Sequence, residues 1–253
     1  NFFEKSLPKA VAIVVESEYG KNNISTRYRI QKNKIYVRGL SVQTDFKINK
    51  SRYINCKINI KKKYKIYKPY IFYPAQFWPH KNHVYIIEVL KVIREKYNLE
   101  FNAVFTGSDK GNLNHIKNYA LDLNLQSNLV FPGFVDSQDL FLLYKNALAL
   151  VMPSYFGPTN IPPIEAFEVG VPVFYSDIDG LSYQFEQAAI LIDLNNPYSL
   201  ADKLFNLYQN KDLRNKLITS GKNILYEQES KNNIGYMNQI IDKFRYKRIT
   251  WGD

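Results

Sequence analysis

Two loops in this sequence carry the residue types needed to hold a charged, hydroxylated ligand. The first, PAQFWPHKNH at residues 74–83, leads from an apolar run into a helical pattern. Proline ahead of the helix and Asn82 near its first turn mark a helix entry, where unpaired N–H groups and the helix dipole attract an anion. Lys81 adds a full positive charge at that point, which reads as phosphate binding rather than as an ordinary solvated lysine. His80 and His83, three residues apart, have no third ligand nearby and read as loop and helix-start residues, not as a zinc pair. His115 is solitary and reads as solvent-facing. The second loop is MPSYFGPTNIPPIEA at residues 152–166. Pro162 and Pro163 suit a first helical turn, where a missing N–H costs nothing. Gly157, Thr159 and Asn160 then form the approach to that helix, with the Ile161 N–H facing a phosphate oxygen. Glu165, placed in the first turn, has two acceptor oxygens that match the vicinal hydroxyls of a ribose. A carboxylate serving only the helix dipole explains Glu165 as well, and from these residues alone is the simpler reading.

The elements that must position these loops alternate along the chain. Short apolar runs at 10–16, 34–37, 71–75, 102–106, 128–131, 148–152, 172–175 and 190–192 read as strands. Helical spacing falls at 21–30, 82–96, 115–123, 138–145, 162–169, near Tyr183, at 198–209 and at 213–226. Such alternation with right-handed crossovers predicts an α/β fold, a parallel sheet covered on both faces with its ligand at the C-terminal strand ends.

The 253 residues, 45% hydrophobic and 15% aromatic, suffice for one full core and part of a second. No apolar stretch reaches the ~18–20 residues of a membrane-spanning helix. The run at 10–15 lacks the basic leader and cleavage site of a signal peptide, and the opening Asn1 reads as a fragment's start. Cys56 is the single cysteine, which fits a reducing cytoplasm and a small apolar filler. The net charge of +11 concentrates in residues 47–68, with eight lysines, Arg52 and no acid. That segment reads as a solvated connection; the sharper alternative is a patch for an anionic membrane surface. Basic and aromatic residues interleave only briefly, at 61–70, so no nucleic-acid partner is expected.

The stretch PSYFGPTNIPPIEAFEVGVPV at 153–173 resembles the signature of glycosyltransferase family 4, the group 1 glycosyltransferases. There, two glutamates separated by seven residues precede A-x-x-x-G-x-P-V. FTGS at 105–108, NLVFPGFV at 128–135, SDIDGL at 176–181 and AAILIDLNNP at 188–197 keep the family's order, so the likeness runs over about 70–225. Residues 10–24 are similar to the last strand and helix of the family's N-terminal domain. The resemblance implies a GT-B fold: a remnant of the acceptor-side domain and linker at 1–66, a nucleotide-sugar-binding Rossmann-like domain at 67–230, and a C-terminal helix at 231–253 packing back on the first part.

It also implies roles. Lys81 would be catalytic and bind the donor diphosphate, with Ile161 and Gln76 beside it. Glu165 would bind the ribose, and backbone groups at Phe134 and Val135 the base. Two positions depart from the pattern: the first glutamate of the pair is Gly157, and the arginine five residues before the lysine is Gln76. Thr159 and Asn160, with Gly157, become the candidates for the donor sugar. The implied reaction is transfer of a hexose from a nucleotide-diphosphate-sugar to a glycan or lipid-linked acceptor, with retention, in bacterial surface polysaccharide synthesis. The enzyme would be cytoplasmic or peripheral on the inner membrane face. Neither cofactor nor metal is expected, because Lys81 and helix N-termini oppose the leaving group's charge; Asp177 and Asp179 form a D-x-D of chance length. Two other readings stand beside this one: a non-catalytic nucleotide-sugar-binding remnant, and a basic module for membrane or nucleic acid.

Overall fold

The computed structural model describes residues 2–42, 44–156, 161–178, 185, 188–231 and 234–250. The chain forms two compact units, Asn1–Ser41 with Leu225–Asp253, and Val42–Ile224. In the smaller unit, α1 (Phe2–Ser6) precedes β1 (Ile13–Val15), α2 (Glu18–Tyr28) and β2 (Ile35–Val37). The two strands pair in parallel, Ile13 opposite Ile35. Their core is Ile13, Ile30 and Ile35, against which Leu7, Ala10, Ile24 and Tyr28 pack. Ser17 caps α2 by accepting from the Gly20 N–H, and Arg29 ends it in the left-handed conformation.

The larger unit carries α3 (Thr44–Ile54), α4 (Ile60–Lys63), β3 (Tyr70–Pro74), α5 (His83–Tyr97), β4 (Asn102–Thr106) and α6 (Leu113–Asp122). It continues with β5 (Leu129–Gly133), α7 (Ser137–Lys145), β6 (Ala149–Met152), α8 (Ile161–Val169), β7 (Val173–Ser176), β8 (Ala189–Ile192) and α9 (Pro197–Gln209). Then α10 (Lys211–Lys231) runs on into the residues of the smaller unit, to which α11 (Ile234–Thr250) belongs. The strands stand in the order β5-β4-β3-β6-β7-β8 and every pairing is parallel. Counted within this unit the order is 3-2-1-4-5-6, the doubly wound arrangement, and it reverses between β3 and β6. The central strands are buried except at Pro74, the end of β3, as the apolar runs require of a sheet covered on both faces.

The expected strands and helices of this unit recur within a few residues of their limits; the helix expected near Tyr183 lies outside the described residues. The basic segment differs from a loose connection. Residues 44–66 fold onto α7: Phe46 packs edge-on against Phe141 at 5.5 Å, Tyr53 lies at the same distance from it, and Ile60 and Ile66 are buried. The lysines between them stay on the solvent side, so the apolar positions fix the structure while the charges hide the pattern. Lys63 and Tyr64 both bond to the Asp139 carboxylate, which joins α4 to α7. Among the described residues, no helix is long and apolar enough to cross a membrane.

Candidate functional site

Both candidate loops leave strands that flank the order reversal, β3 and β6, at their C-terminal ends. A crevice opens there in a doubly wound sheet because the crossover helices on either side run to opposite faces. The loops are tied together. The Tyr155 N–H donates to the His80 carbonyl at 2.9 Å, and the buried Tyr73 and Ser154 hydroxyls share a hydrogen bond of 2.8 Å. The His80 ring stacks on Phe156 at 4.3 Å.

The loop after β3 forms a short 3₁₀ turn at Pro79–Lys81, and Asn82 in the left-handed conformation then turns the chain into α5. Lys81 therefore sits immediately ahead of the free N–H groups of α5. It is half-buried, and loss of water holds its ammonium below the usual lysine range. Among the described residues its ammonium has neither an ion pair nor a hydrogen bond, while its backbone N–H donates to the Trp78 carbonyl at 3.0 Å; an unpaired ammonium there favours an anionic ligand. His80 is lowered by burial and then by the charge of Lys81. His83 is fully buried beneath the loop, its ring 4.8 Å from that of Tyr73 and 5.0 Å from that of Phe77. Burial pulls it down to about 3, with the Ala75 carbonyl acting weakly in the other direction. Neither ring nitrogen makes a well-formed hydrogen bond among the described residues. His83 is thus neutral core, and His115 is exposed on α6.

At the C-terminal strand ends, a cleft of about 220 Å³ is lined by residues 74–76, 106–108, Phe134, Val135 and Leu140. It brings together Gln76, Phe134 and Val135, three of the sequence candidates, at the ends of β3, β4 and β5; Lys81, five residues after Gln76 in the same loop, is not among its lining residues. Gly107 makes the cleft possible. With φ at +142°, an added Cβ would fall 2.6 Å from the Ala75 carbonyl oxygen, so only glycine lets β4 end so close to β3. The Gly107 N–H donates to Gly133 at 3.0 Å and the Phe77 N–H to Ser108 at 3.1 Å, which knits the three strand ends together. Gly133, with φ at +76°, turns the chain so that Phe134 projects into solvent, 87% exposed. Gln76 is exposed and accepts from the Trp78 indole N–H at 3.0 Å.

In the second loop, Ile161 opens α8 and is partly exposed. Pro162 and Pro163 follow inside the first turn, as expected of residues without a usable N–H. Glu165 lies just past the first turn of α8, not within it as expected, and is only 3% exposed. Its Oε2 accepts from the Tyr144 hydroxyl at 2.9 Å, and its Oε1 is buried without a partner among the described residues. Burial raises the Glu165 carboxyl above the usual range, and the Tyr144 bond opposes that. Tyr144, on α7, was missed from sequence; it is 21 residues away and reads there as an ordinary apolar helix position. Gly157, Thr159, Asn160 and Asp179 lie outside the described residues. Among the described residues, no group of three His, Cys, Asp or Glu is placed to hold a metal.

The sequence pattern of the family described as glycosyl transferases group 1 matches residues 57–224, more than half of the chain. The chain belongs to this family. It is 29% identical over 207 residues to the O-antigen chain mannosyltransferase RfbU of Salmonella typhimurium, covering 82% of this chain and 54% of that protein. It is 28% identical over 152 residues to an uncharacterized glycosyltransferase of Methanocaldococcus jannaschii, covering 59% and 38%. The chain thus spans about half the length of these curated relatives, or less. Among solved structures, S. aureus TarM, crystallised with UDP, alpha-GlcNAc-glycerol and fondaparinux, superposes with a TM-score of 0.75. That match has 17% identity and covers 94% of this chain and 45% of TarM. The fold is of the GT-B type.

Proposed function

We propose that this chain supplies the donor half of a glycosyltransferase that moves a hexose from a nucleotide-diphosphate-sugar to a glycan or lipid-linked acceptor with retention, in surface polysaccharide synthesis. The observation that carries this reading is the half-buried Lys81, its ammonium without an anionic partner among the described residues, on the β3 loop at the order reversal, the same loop whose Gln76 lines a cleft with Phe134 and Val135. The diphosphate lies against Lys81, Gln76 and the N-termini of α5 and α8, where Ile161 offers its N–H. The base lies toward Phe134 and Val135, the ribose toward the free oxygen of Glu165, and the sugar toward Gly157, Thr159 and Asn160. As the glycosidic bond breaks, charge grows on the leaving diphosphate, and a preorganised ammonium stabilises that charge more than it stabilises the bound donor. The Salmonella relative named as an O-antigen mannosyltransferase and the UDP held by TarM support the assignment to a sugar nucleotide.

The test is to incubate the whole enzyme with UDP- and GDP-hexoses and a lipid-linked glycan extract. Nucleoside diphosphate release is followed, and the anomeric configuration of the product is read by proton NMR. Release with a retained configuration is expected; an inverted product, or no release with any donor, overturns the reading. We place the enzyme on the cytoplasmic membrane face through residues 47–68, where Lys47, Arg52, Lys57, Lys61 and Lys62 are exposed. Cosedimentation with anionic vesicles that weakens as salt is raised is expected, and its absence contradicts that placement.

A further inference from the structure

A second cleft, of about 320 Å³, lies at the other end of the same sheet. It opens where β3 and β6 begin, at Tyr70 and Leu148, whereas the donor cleft opens where β3 ends, at Pro74. Five residues of strand at about 3.3 Å each separate the two, so one ligand of nucleotide-sugar kind does not fill both. Lys61, Lys68 and Arg214 line it, together with Tyr67, Tyr208 and Asn146. These come from α4, the segment before β3, the ends of α7 and α9 and the start of α10, so residues distant in sequence converge on one space.

The charges there are unbalanced. Lys68 pairs with Glu100, and the Lys61 ammonium lies 5.9 Å above the Tyr70 ring. Among the described residues, no carboxylate pairs with Lys61 or Arg214. The Lys61 ammonium, the Arg214 guanidinium fork and two phenol hydroxyls are able to donate, while the Asn146 amide already gives one hydrogen to the Leu142 carbonyl at 2.9 Å and Lys68 is held by Glu100; planar forked donors match tetrahedral oxyanions well. Tyr67, 82% exposed, stands at the rim.

We propose that this cleft is a second anion site, taking a phosphate ester, distinct from the donor site. The same chemistry is presented by a soluble phosphorylated metabolite and by the headgroup of an anionic phospholipid. Calorimetric titration of the chain with inorganic phosphate and sn-glycerol 3-phosphate addresses the first source. It is run with UDP at saturation so that the donor cleft does not contribute. Cosedimentation with phosphatidylcholine vesicles, with and without phosphatidylglycerol, addresses the second. Each measurement compares the parent with the double variant Lys61→Gln, Arg214→Gln.

A soluble ester is indicated if the phosphates bind the parent and the double variant weakens them by about tenfold or more. A lipid headgroup is indicated if only phosphatidylglycerol vesicles bind and the double variant loses them. If the parent binds neither, or the double variant binds as the parent does, the proposal is overturned. UDP affinity is expected to be the same in parent and variant, so failure here leaves the donor-site reading standing. Should the double variant lose its cooperative melting, Arg214→Lys is read instead, since it keeps the charge and removes the fork; weakening supports the proposal and parental binding overturns it.

Discussion

Lys81 and Glu165 stand at corresponding places, each near the start of a helix that follows a strand flanking the order reversal, and the protein treats their charges differently. Lys81 is half-buried and given no protein anion among the described residues. Glu165 is buried more deeply, yet one of its oxygens is already held by Tyr144 and only the other is free. A cation left unpaired in a half-buried site is poised for a ligand whose charge changes. A carboxylate pinned at one oxygen is poised for a ligand group that only needs a fixed acceptor. On the function proposed above, the difference would separate a residue acting on the transition state from one acting on binding.

The largest effect should follow from Lys81→Ala in the whole enzyme. Loss of a preorganised charge stabiliser lowers kcat by ~10²–10³-fold. Glu165→Gln should leave kcat nearly intact and raise KM for the donor, since losing a hydrogen bond to a charged group costs ~1.5–3 kcal/mol. Steady-state transfer with the donor varied measures both; equal falls in kcat for the two variants break the comparison.

His83 sharpens it from below, because it supports the Lys81 loop as neutral core. Its folded pKa of about 3 lies under its unfolded value of 6.5, so its stabilising contribution is complete above pH 6.5 and is lost as pH falls toward 3. Unfolding in that window takes up about one proton at this site, or ~1.4 kcal/mol per pH unit. Urea unfolding of His83→Phe at several pH values should show a pH slope shallower by that amount, and an unchanged slope refutes the neutral assignment.

A smaller effect is expected of Tyr144→Phe, about 1 kcal/mol in donor affinity. Its signature is in pH. The Tyr144 bond lowers the Glu165 carboxyl, so its removal raises that carboxyl further. If Glu165 holds the ribose as proposed, donor affinity falls as its carboxylate is protonated and should then begin to fall at a higher pH than in the parent. An unshifted acid limb in donor titrations separates Glu165 from the ribose.

The parallel sheet was legible because each strand is an apolar run closed by a turn and each helix keeps its apolar face in register, as Ile86, Val89, Leu90 and Ile93 do on α5. The β3 loop was legible for a related reason: Lys81 interrupts an otherwise apolar and aromatic passage at a strand-to-helix junction. Other features were not legible. Phe46 and Tyr53, seven residues apart, build α3, but the lysines around them swamp the pattern. His83 is three and four residues before Ile86 and Ile87, a spacing that gives its burial away once the ring is counted as apolar. Tyr144 bonds to Glu165 across a helix packing that no local spacing records. The cleft lined by Lys61, Lys68 and Arg214 draws on α4, the segment before β3 and the start of α10, which no local spacing joins.

The central claim, that the β3 loop is built to receive a diphosphate, is tested most directly by calorimetric titration of the chain with UDP and with GDP in the presence of a chelator, for the parent and Lys81→Ala. At least one nucleotide should bind the parent, and Lys81→Ala should weaken it by about tenfold or more. Failure of both to bind the parent at millimolar concentration, or equal affinity for the variant, would contradict the claim.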